Sequence, residues 1–312
     1  MLGISLTTAT ETKLCSQGTV LYAQAEPKQQ TLRTDTVPLA VKEGFFYAIF
    51  APSPDTACVG YLFGDVHDNC EDWLAKHPNI MELAKSCQVL VTEKEWPQKR
   101  YDRQPLPDTF PLLSSLISPS VYKLVERDFQ KCFGVPIHYA AHWHPLSIAE
   151  SIKEYKLGSV LHVQKRGVGL PIQSALVKNY VTTAKPIISL EDGKIVYDFM
   201  CSFSIETQVA ALEYYVTHTA QQLYDSLYFA GTIGYENQDL ECFCREGRFD
   251  TYSVPTYREM VGGRNMMWID PIIKSLKTNK SFVVMGCGHL CGPEGMLLLL
   301  RQRGYRLVAL PY

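Results

Sequence analysis

Apolar and polar positions follow two periods along the chain. Residues 45–50 (FFYAIF) form an aromatic-rich run closed by Pro52 and Pro54, and residues 57–63 (ACVGYLF) form a second. Both predict strands, joined as a hairpin. Short apolar runs at 89–91, 186–190, 281–285 and 306–310 have the length and composition of buried strands. Helical spacing fills much of the rest: 71–87, 112–131, 145–156, 171–184, 204–228, 257–277 and 293–302. Pro171 opens one of these segments, and Pro78 marks a start within another. Residues 96–111 carry four prolines and predict a loop, and the stretch around Cys242, Cys244 and Gly247 reads as looser chain. Strands alternating with helices predict an α/β fold: a mixed, partly parallel central sheet with flanking helices and a helical middle third. Residues 1–40 are polar and mixed and read as a leader or irregular segment, with a single domain over 41–312.

One pattern occurs twice. The run 59–63 enters Gly64-Asp65-Val66-His67, and the run 282–285 enters Gly286-Cys287-Gly288-His289. Each is an apolar strand followed by Gly-x-x-His. Ligands of α/β sheets bind beyond the carboxyl ends of strands, so both histidines are candidates. A neutral imidazole binds a metal or acts as a base near neutral pH. Glu93 ends the 89–91 strand and Glu95 follows on the same face. A carboxylate there is placed to ligate a metal or to polarise water. Asp65, Asp68 and Asn69 flank His67 and read as orienting groups or turn residues. Arg264, after Gly262-Gly263 and before Trp268, is a candidate for holding an anionic intermediate. The pair in His142-Trp143-His144 is a competing metal signature after a strand at 137–141; with Pro145 next, it reads instead as a strand-to-helix turn.

Composition narrows the class. The chain has 312 residues, 46% hydrophobic and 20% charged, which excludes a disordered polymer. A net charge of −2 gives no overall field for nucleic acid. The longest aliphatic run spans 296–300, far short of the ~20 residues a membrane-spanning helix needs. The first residues lack a basic segment followed by an apolar one, so a cytoplasmic location is expected; their Ser/Thr content also suits a leader read by a specialised secretion system. Ten scattered cysteines without a CxxC pair predict mostly reduced thiols, and Cys242-Phe-Cys244 is too tight for a zinc clip. Dinucleotide, P-loop, serine-elbow and HExxH signatures are absent.

Taken together, YLFGDVHDN, VLVTEKE, GGRNMMWIDPIIKSL and FVVMGCGHLCGPEGMLLLLRQRGYRLV resemble the TraB/PrgY/GumN family, which includes the Tiki proteins. The wider relatives are the erythromycin-esterase-like and ChaN-like proteins. Weaker similarity lies in ALVKNYVTTAKPIISLED and ETQVAALEY, and the resemblance spans roughly residues 57–310. It implies one α/β domain of two pseudo-equivalent halves, each carrying a GxxH strand end, with the histidines converging in one cleft. For Tiki-like members it implies metal-dependent cleavage of a peptide or amide bond. Carried over by position, His67, Glu93, Arg264 and His289 are the site residues, with Glu191 beside them. His67, Glu93 and His289 would hold one divalent ion (manganese, cobalt or zinc), with Asp65 or Glu95 handling water. Gly-Asp-x-His-Asp-Asn departs toward the ChaN-like pattern, whose members bind haem. The alternatives are a metal-independent hydrolase with a histidine base and a non-enzymatic binder of peptide or haem.

Overall fold

Alternating side chains build the sheet from its centre outward. The computed structural model describes residues 43–54, 57–66, 71–93, 96, 110–141, 143–164, 170–226, 230–249 and 256–312. The expected leader, most of the proline-rich loop, His67, Asp68, Asn69, Glu95 and His142 lie outside the described residues. Strands β1 (Phe46–Phe50) and β2 (Cys58–Asp65) form the expected antiparallel hairpin. Helices α1 (Glu71–Lys76) and α2 (Pro78–Ser86) follow. They divide at Pro78, which lacks the N–H that a continuous helix needs and suits a first turn. Next come β3 (Val89–Thr92), α3 (Leu113–Leu116) and α4 (Pro119–Phe133). A 3-10 turn at Ile137–Ala140 precedes α5 (Pro145–Gln164) and α6 (Ile172–Thr182). Then come β4 (Ile187–Ser189), α7 (Gly193–Cys201), α8 (Ile205–Thr217), α9 (Ala220–Tyr224), α10 (Ala230–Glu236) and α11 (Leu240–Glu246). A π-helical turn at Arg258–Gly263 runs into α12 (Arg264–Thr278), and the chain closes with β5 (Ser281–Gly286), α13 (Met296–Gln302) and β6 (Arg306–Ala309).

The sheet has six strands in the order β4-β3-β5-β2-β1-β6. β4, β3, β5 and β2 are mutually parallel, while β1 runs antiparallel to both β2 and β6. The fold is thus the expected mixed α/β sheet with flanking helices. Period-two alternation assigns its two faces. Leu62, Val89, Val91, Val283 and Met285 pack with Trp268, Ile269, Ile272 and Leu276 of α12 and with α13. Phe63, Leu90, Phe282 and Val284 pack on the other face with Ile80 and Ala84 of α2 and Ile172, Leu176 and Tyr180 of α6. A third cluster gathers α4, α5 and α8 around Val125, Phe129, Ile148, Ile152, Leu212 and Tyr215. At ~25 cal/mol per Å² of apolar area, each such fully buried side chain stabilises by roughly 1.5–3 kcal/mol, so all three clusters contribute strongly.

Several elements differ from expectation, each for a local reason. Residues 137–141 are not a strand. Ile137 and Ala140 are buried three positions apart, the spacing of a 3-10 turn, and point into the helical cluster. The helix expected over 204–228 stops at Thr217, because Thr219 and Gln222 form a reciprocal capping box that starts α9. The stretch around Cys242 is helical: Asp239 accepts the Cys242 N–H, and Leu240 and Phe243 are buried three positions apart. Helix α7 was unforeseen; its start is set by Asp192 accepting the Ile195 N–H at 2.7 Å. One cysteine pair also departs from the reduced state expected. Cys244 and Cys291 form a disulfide, while Cys58, Cys87, Cys132, Cys201, Cys242 and Cys287 keep their thiols. Among the described residues, no helix is long and apolar enough to cross a membrane.

Candidate functional site at the strand ends

The two Gly-x-x-His segments leave adjacent strands. β2 and β5 pair in parallel with Asp65 opposite Gly286, so both segments start at the same edge of the sheet. Gly64 is needed for that closeness. A Cβ there would lie 2.6 Å from Leu290 Cδ1 and 3.1 Å from the Cys287 Cα. The absent side chain lets the 3-10 turn Cys287–Leu290, which carries His289, settle onto β2.

Asp65, Glu93, Glu191 and His289 are each less than a tenth exposed. Glu93 leaves the end of β3, and its Oε2 accepts the Gly286 N–H at 3.1 Å. Gln173 of α6 spans two carboxylates: its Nε2 donates to Asp65 Oδ1 at 3.0 Å and to Glu93 Oε1 at 3.3 Å. Thr92 Oγ1 donates to Gln173 Oε1 at 3.0 Å, which fixes which end of the amide faces the carboxylates.

A second amide fixes the imidazole. Asn265 Nδ2 donates to two carbonyls, His289 O at 2.9 Å and Glu294 O at 2.8 Å. Its Oδ1 is therefore the atom that meets His289 Nδ1, at 2.8 Å, and Nδ1 must carry the proton. Nε2 then lies 3.8 Å from Glu93 Oε2, and because a guanidinium can only donate, Nε2 accepts a long hydrogen bond from Arg264 Nη1 at 3.5 Å. The imidazole also packs on Trp268, with ring centroids 4.4 Å apart.

Arg264 is tied into this group. Its Nε donates to Glu191 Oε2 at 3.0 Å, and its Nη2 donates to Glu191 Oε1, making a bidentate pair. The guanidinium lies 4.6 Å from the Trp268 ring, and Trp268 Nε1 donates to Glu191 Oε2 at 3.1 Å. With its Nε–Nη2 edge held by Glu191, Arg264 turns Nη1 toward Met260 O at 3.4 Å and His289 Nε2 at 3.5 Å. Burial raises the Glu191 carboxyl above its usual range; the Arg264 hydrogen bond and charge offset this only in part, and nearby Glu93 adds to it. Burial, reinforced by the Asp65 charge, pushes the Cys287 thiol well up, so this cysteine is protonated and a poor nucleophile.

The arrangement therefore brings together Asp65, Glu93, Glu191, Arg264 and His289. His144, from the competing motif, sits in the helical middle at the start of α5, with the rings of Phe110 and Tyr197 as neighbours. Burial lowers its pKa, a Gln208 hydrogen bond opposing, and its Nδ1 has no hydrogen-bond partner. Among the described residues, no three His, Cys, Asp or Glu side chains form a metal-binding group; Glu93 and His289 form a pair. The linking roles of Gln173 and Asn265 were not anticipated. Gln173 had one available signal: it is a polar residue on a helix whose other buried positions are Ile172, Ala175, Leu176, Val177 and Tyr180.

Fold and site together define an α/β protein with buried carboxylates, an oriented imidazole and a guanidinium gathered at parallel strand ends. The model of the TraB/PrgY/gumN family matches residues 52–309, and the chain belongs to that family. No curated protein and no solved structure matches the chain.

Proposed function

We propose that the chain is a hydrolase of a peptide or amide bond, acting at the ends of β2, β3 and β5. The observation that carries this reading is the oriented imidazole of His289, whose Nε2 lies 3.8 Å from a Glu93 carboxylate oxygen. An imidazole nitrogen and a carboxylate oxygen on neighbouring strands are a mixed N/O donor set, and they fit a divalent cation such as manganese, cobalt or zinc. Glu93 and His289 would hold it, with His67 as the third donor. Bound there, the cation supplies Lewis acidity that polarises a carbonyl and acidifies water.

The chain's own groups do the rest. Asn265 holds the imidazole proton at Nδ1 and so keeps Nε2 available. Gln173 keeps Asp65 and Glu93 pointed to one side, and Asp65 is the group that accepts a proton from attacking water. Arg264, held by Glu191, offers Nη1 to the negative charge that develops on the carbonyl oxygen. The same Nε2 lone pair also suits direct base catalysis without metal, which is the second reading.

Elemental mass spectrometry on the purified chain separates the two. Stoichiometric divalent metal in the wild type, lost in Glu93→Gln and His289→Ala, supports the metal reading and justifies a screen of peptide substrates. Amide or ester hydrolysis that persists in excess chelator, with no metal retained after manganese, cobalt or zinc is supplied, replaces it with the histidine-base reading. Absence of both metal and hydrolysis removes the hydrolase reading altogether.

A further inference from the structure

A cavity of about 490 Å³ adjoins the site along the chain itself. Its wall includes Gly262 and Gly263, which immediately precede Arg264, and Glu294, whose backbone carbonyl is held by the Asn265 amide that orients His289. The two regions share Asn265 as a common tie. The wall between α7 and α12 is built by close approach: a Cβ on Gly263 would lie 2.9 Å from Phe199 Cζ, so the Phe199 ring packs directly against that backbone. The π-helical turn Arg258–Gly263 lines the same cavity. Such turns are rare and collect at functional sites.

The chemistry of the wall favours a cation. Glu294 Oε2 is buried with no hydrogen-bond partner among the described residues. Buried polar atoms nearly always have partners, so an orphaned carboxylate oxygen calls for an explanation. A carboxylate already stripped of water on one side has met part of its desolvation cost during folding. It therefore gains more from a cation at its other side than a fully hydrated one would. Glu259 adds a second carboxylate, and Phe199 and Phe203, whose aromatic rings can attract an ammonium or guanidinium, also line the cavity. Arg258 opposes this, but it is exposed and free to swing into solvent. The amino end of α8 also reaches the cavity, yet it is already capped: Ser204 Oγ accepts the Thr207 N–H and lies 3.2 Å from Thr207 Oγ1.

We infer that this cavity is a subsite for a basic side chain of a peptide substrate, with Glu294 as its principal recognition residue. As a substrate subsite it rests on the hydrolase reading above; as a binding site for an organic cation it does not. Glu294 meets Asn265 through its main chain, so Glu294→Gln removes the charge and leaves that anchor in place.

The test is titration of the full chain with Nα-acetyl-lysine amide, its neutral counterpart Nα-acetyl-norleucine amide and the acidic Nα-acetyl-glutamate amide, followed by calorimetry or ligand-observed NMR. The lysine compound is expected to bind at least about tenfold more tightly than norleucine, the ratio falling toward one in Glu294→Gln and narrowing in Glu259→Gln. Equal binding of lysine and norleucine, preference for glutamate, or a preference unmoved by both substitutions would overturn the inference. Lysine preference without any peptide cleavage would leave the subsite standing and remove the hydrolase reading. Cleavage with no bias toward basic residues, under which the lysine compound also shows no advantage, would remove the subsite and keep the hydrolase.

Discussion

Two buried carboxylate–cation pairs lie in different parts of this protein and behave in opposite ways. In the helical cluster, Asp128 of α4 meets Lys156 of α5 at 2.8 Å and accepts a hydrogen bond from Arg127 Nε at 2.7 Å. At the strand ends, Glu191 is gripped, among the described cations, by Arg264 alone and has Glu93 nearby. Burial pushes both carboxyls up. For Asp128, hydrogen bonds from Arg127 and Lys156, together with their charges, outweigh burial and hold it below its usual range. For Glu191, burial wins. The difference follows from neighbours: two cations serve one carboxylate in the first case, whereas one cation serves a carboxylate crowded by another in the second. The first pair also closes a helix. Lys156 Nζ donates to Tyr215 O at 2.7 Å and His218 O at 2.8 Å, carbonyls that the end of α8 would otherwise leave unmet. That is a structural use of charge, while the Arg264–Glu191 pair borders the proposed chemistry.

The comparison can be broken most sharply by removing one partner from each pair. Arg264→Ala should cost roughly 3–5 kcal/mol in denaturant unfolding, because it strands the buried Glu191 carboxylate, and Lys156→Ala should cost less through Asp128, because Arg127 still serves that carboxylate. Only Arg264→Ala should also abolish hydrolysis. Loss of activity in folded Lys156→Ala would show that the two regions are not separable in the way described. Replacing both members, as in Arg264→Met with Glu191→Gln, should recover most of the stability but none of the activity.

The disulfide tests how firmly the His289 turn is tied to the helices beside it. Cys244 and Cys291 are 47 residues apart, a loop for which chain-entropy reasoning gives about 4 kcal/mol. Cys244→Ser should therefore lower stability by up to that amount and raise amide exchange in the Cys287–Leu290 turn. Unchanged exchange there would mean that Asn265 and the contact of Leu290 with Gly64 suffice to hold it.

A smaller effect is expected from Asn265→Ala. Losing the partner of Nδ1 should weaken metal binding by about 10–100-fold, read by competition with a chelating dye. An affinity equal to wild type would argue that His289 is no ligand.

The smallest effects distinguish the two carboxylates by pH, measured on metal-free protein. Asp128, with a lowered folded pKa, contributes stability above its unfolded pKa, and this is lost as pH falls through the lower folded value. Glu191, with a raised folded pKa, contributes fully below its unfolded pKa and loses that contribution as pH rises through the higher folded value. Asp128→Asn should flatten the acid limb of the stability curve, and Glu191→Gln should flatten the loss of stability as pH rises just above the ordinary carboxylate range. Parallel curves for both variants and wild type would contradict the assigned directions.

How far the molecule was legible varies by element. The strands at 46–50, 58–65 and 281–286 were readable because their near-continuous apolar runs match strands covered on both faces. Glu93 and His289 were marked as candidates by a strand end and a repeated motif, and Arg264 by the paired glycines before it and by the family resemblance. Gln173 was not marked: its place among the apolar positions of α6 hints at burial, but only docking of the helix shows which carboxylates its amide meets. The end of α8 was only half legible. The capping pattern at Thr219 is in the sequence, but the ammonium that meets the α8 carbonyls comes from Lys156, 59 residues before Tyr215. The Cys244–Cys291 bond was hidden for a like reason, because spacing says nothing about which thiols approach.

The sequence by itself determined the alternation of strands and helices, the two glycine-led strand ends and the kinds of groups available there. These are local properties, set by side-chain periodicity and by backbone freedom at a few glycines. Only the tertiary structure decided that β2 and β5 are neighbours, that Glu191 pairs with Arg264, and that Asn265 chooses the tautomer of His289. Those outcomes depend on strand order and helix docking. Both arise from burying apolar faces across long stretches of chain, which no short window of residues encodes.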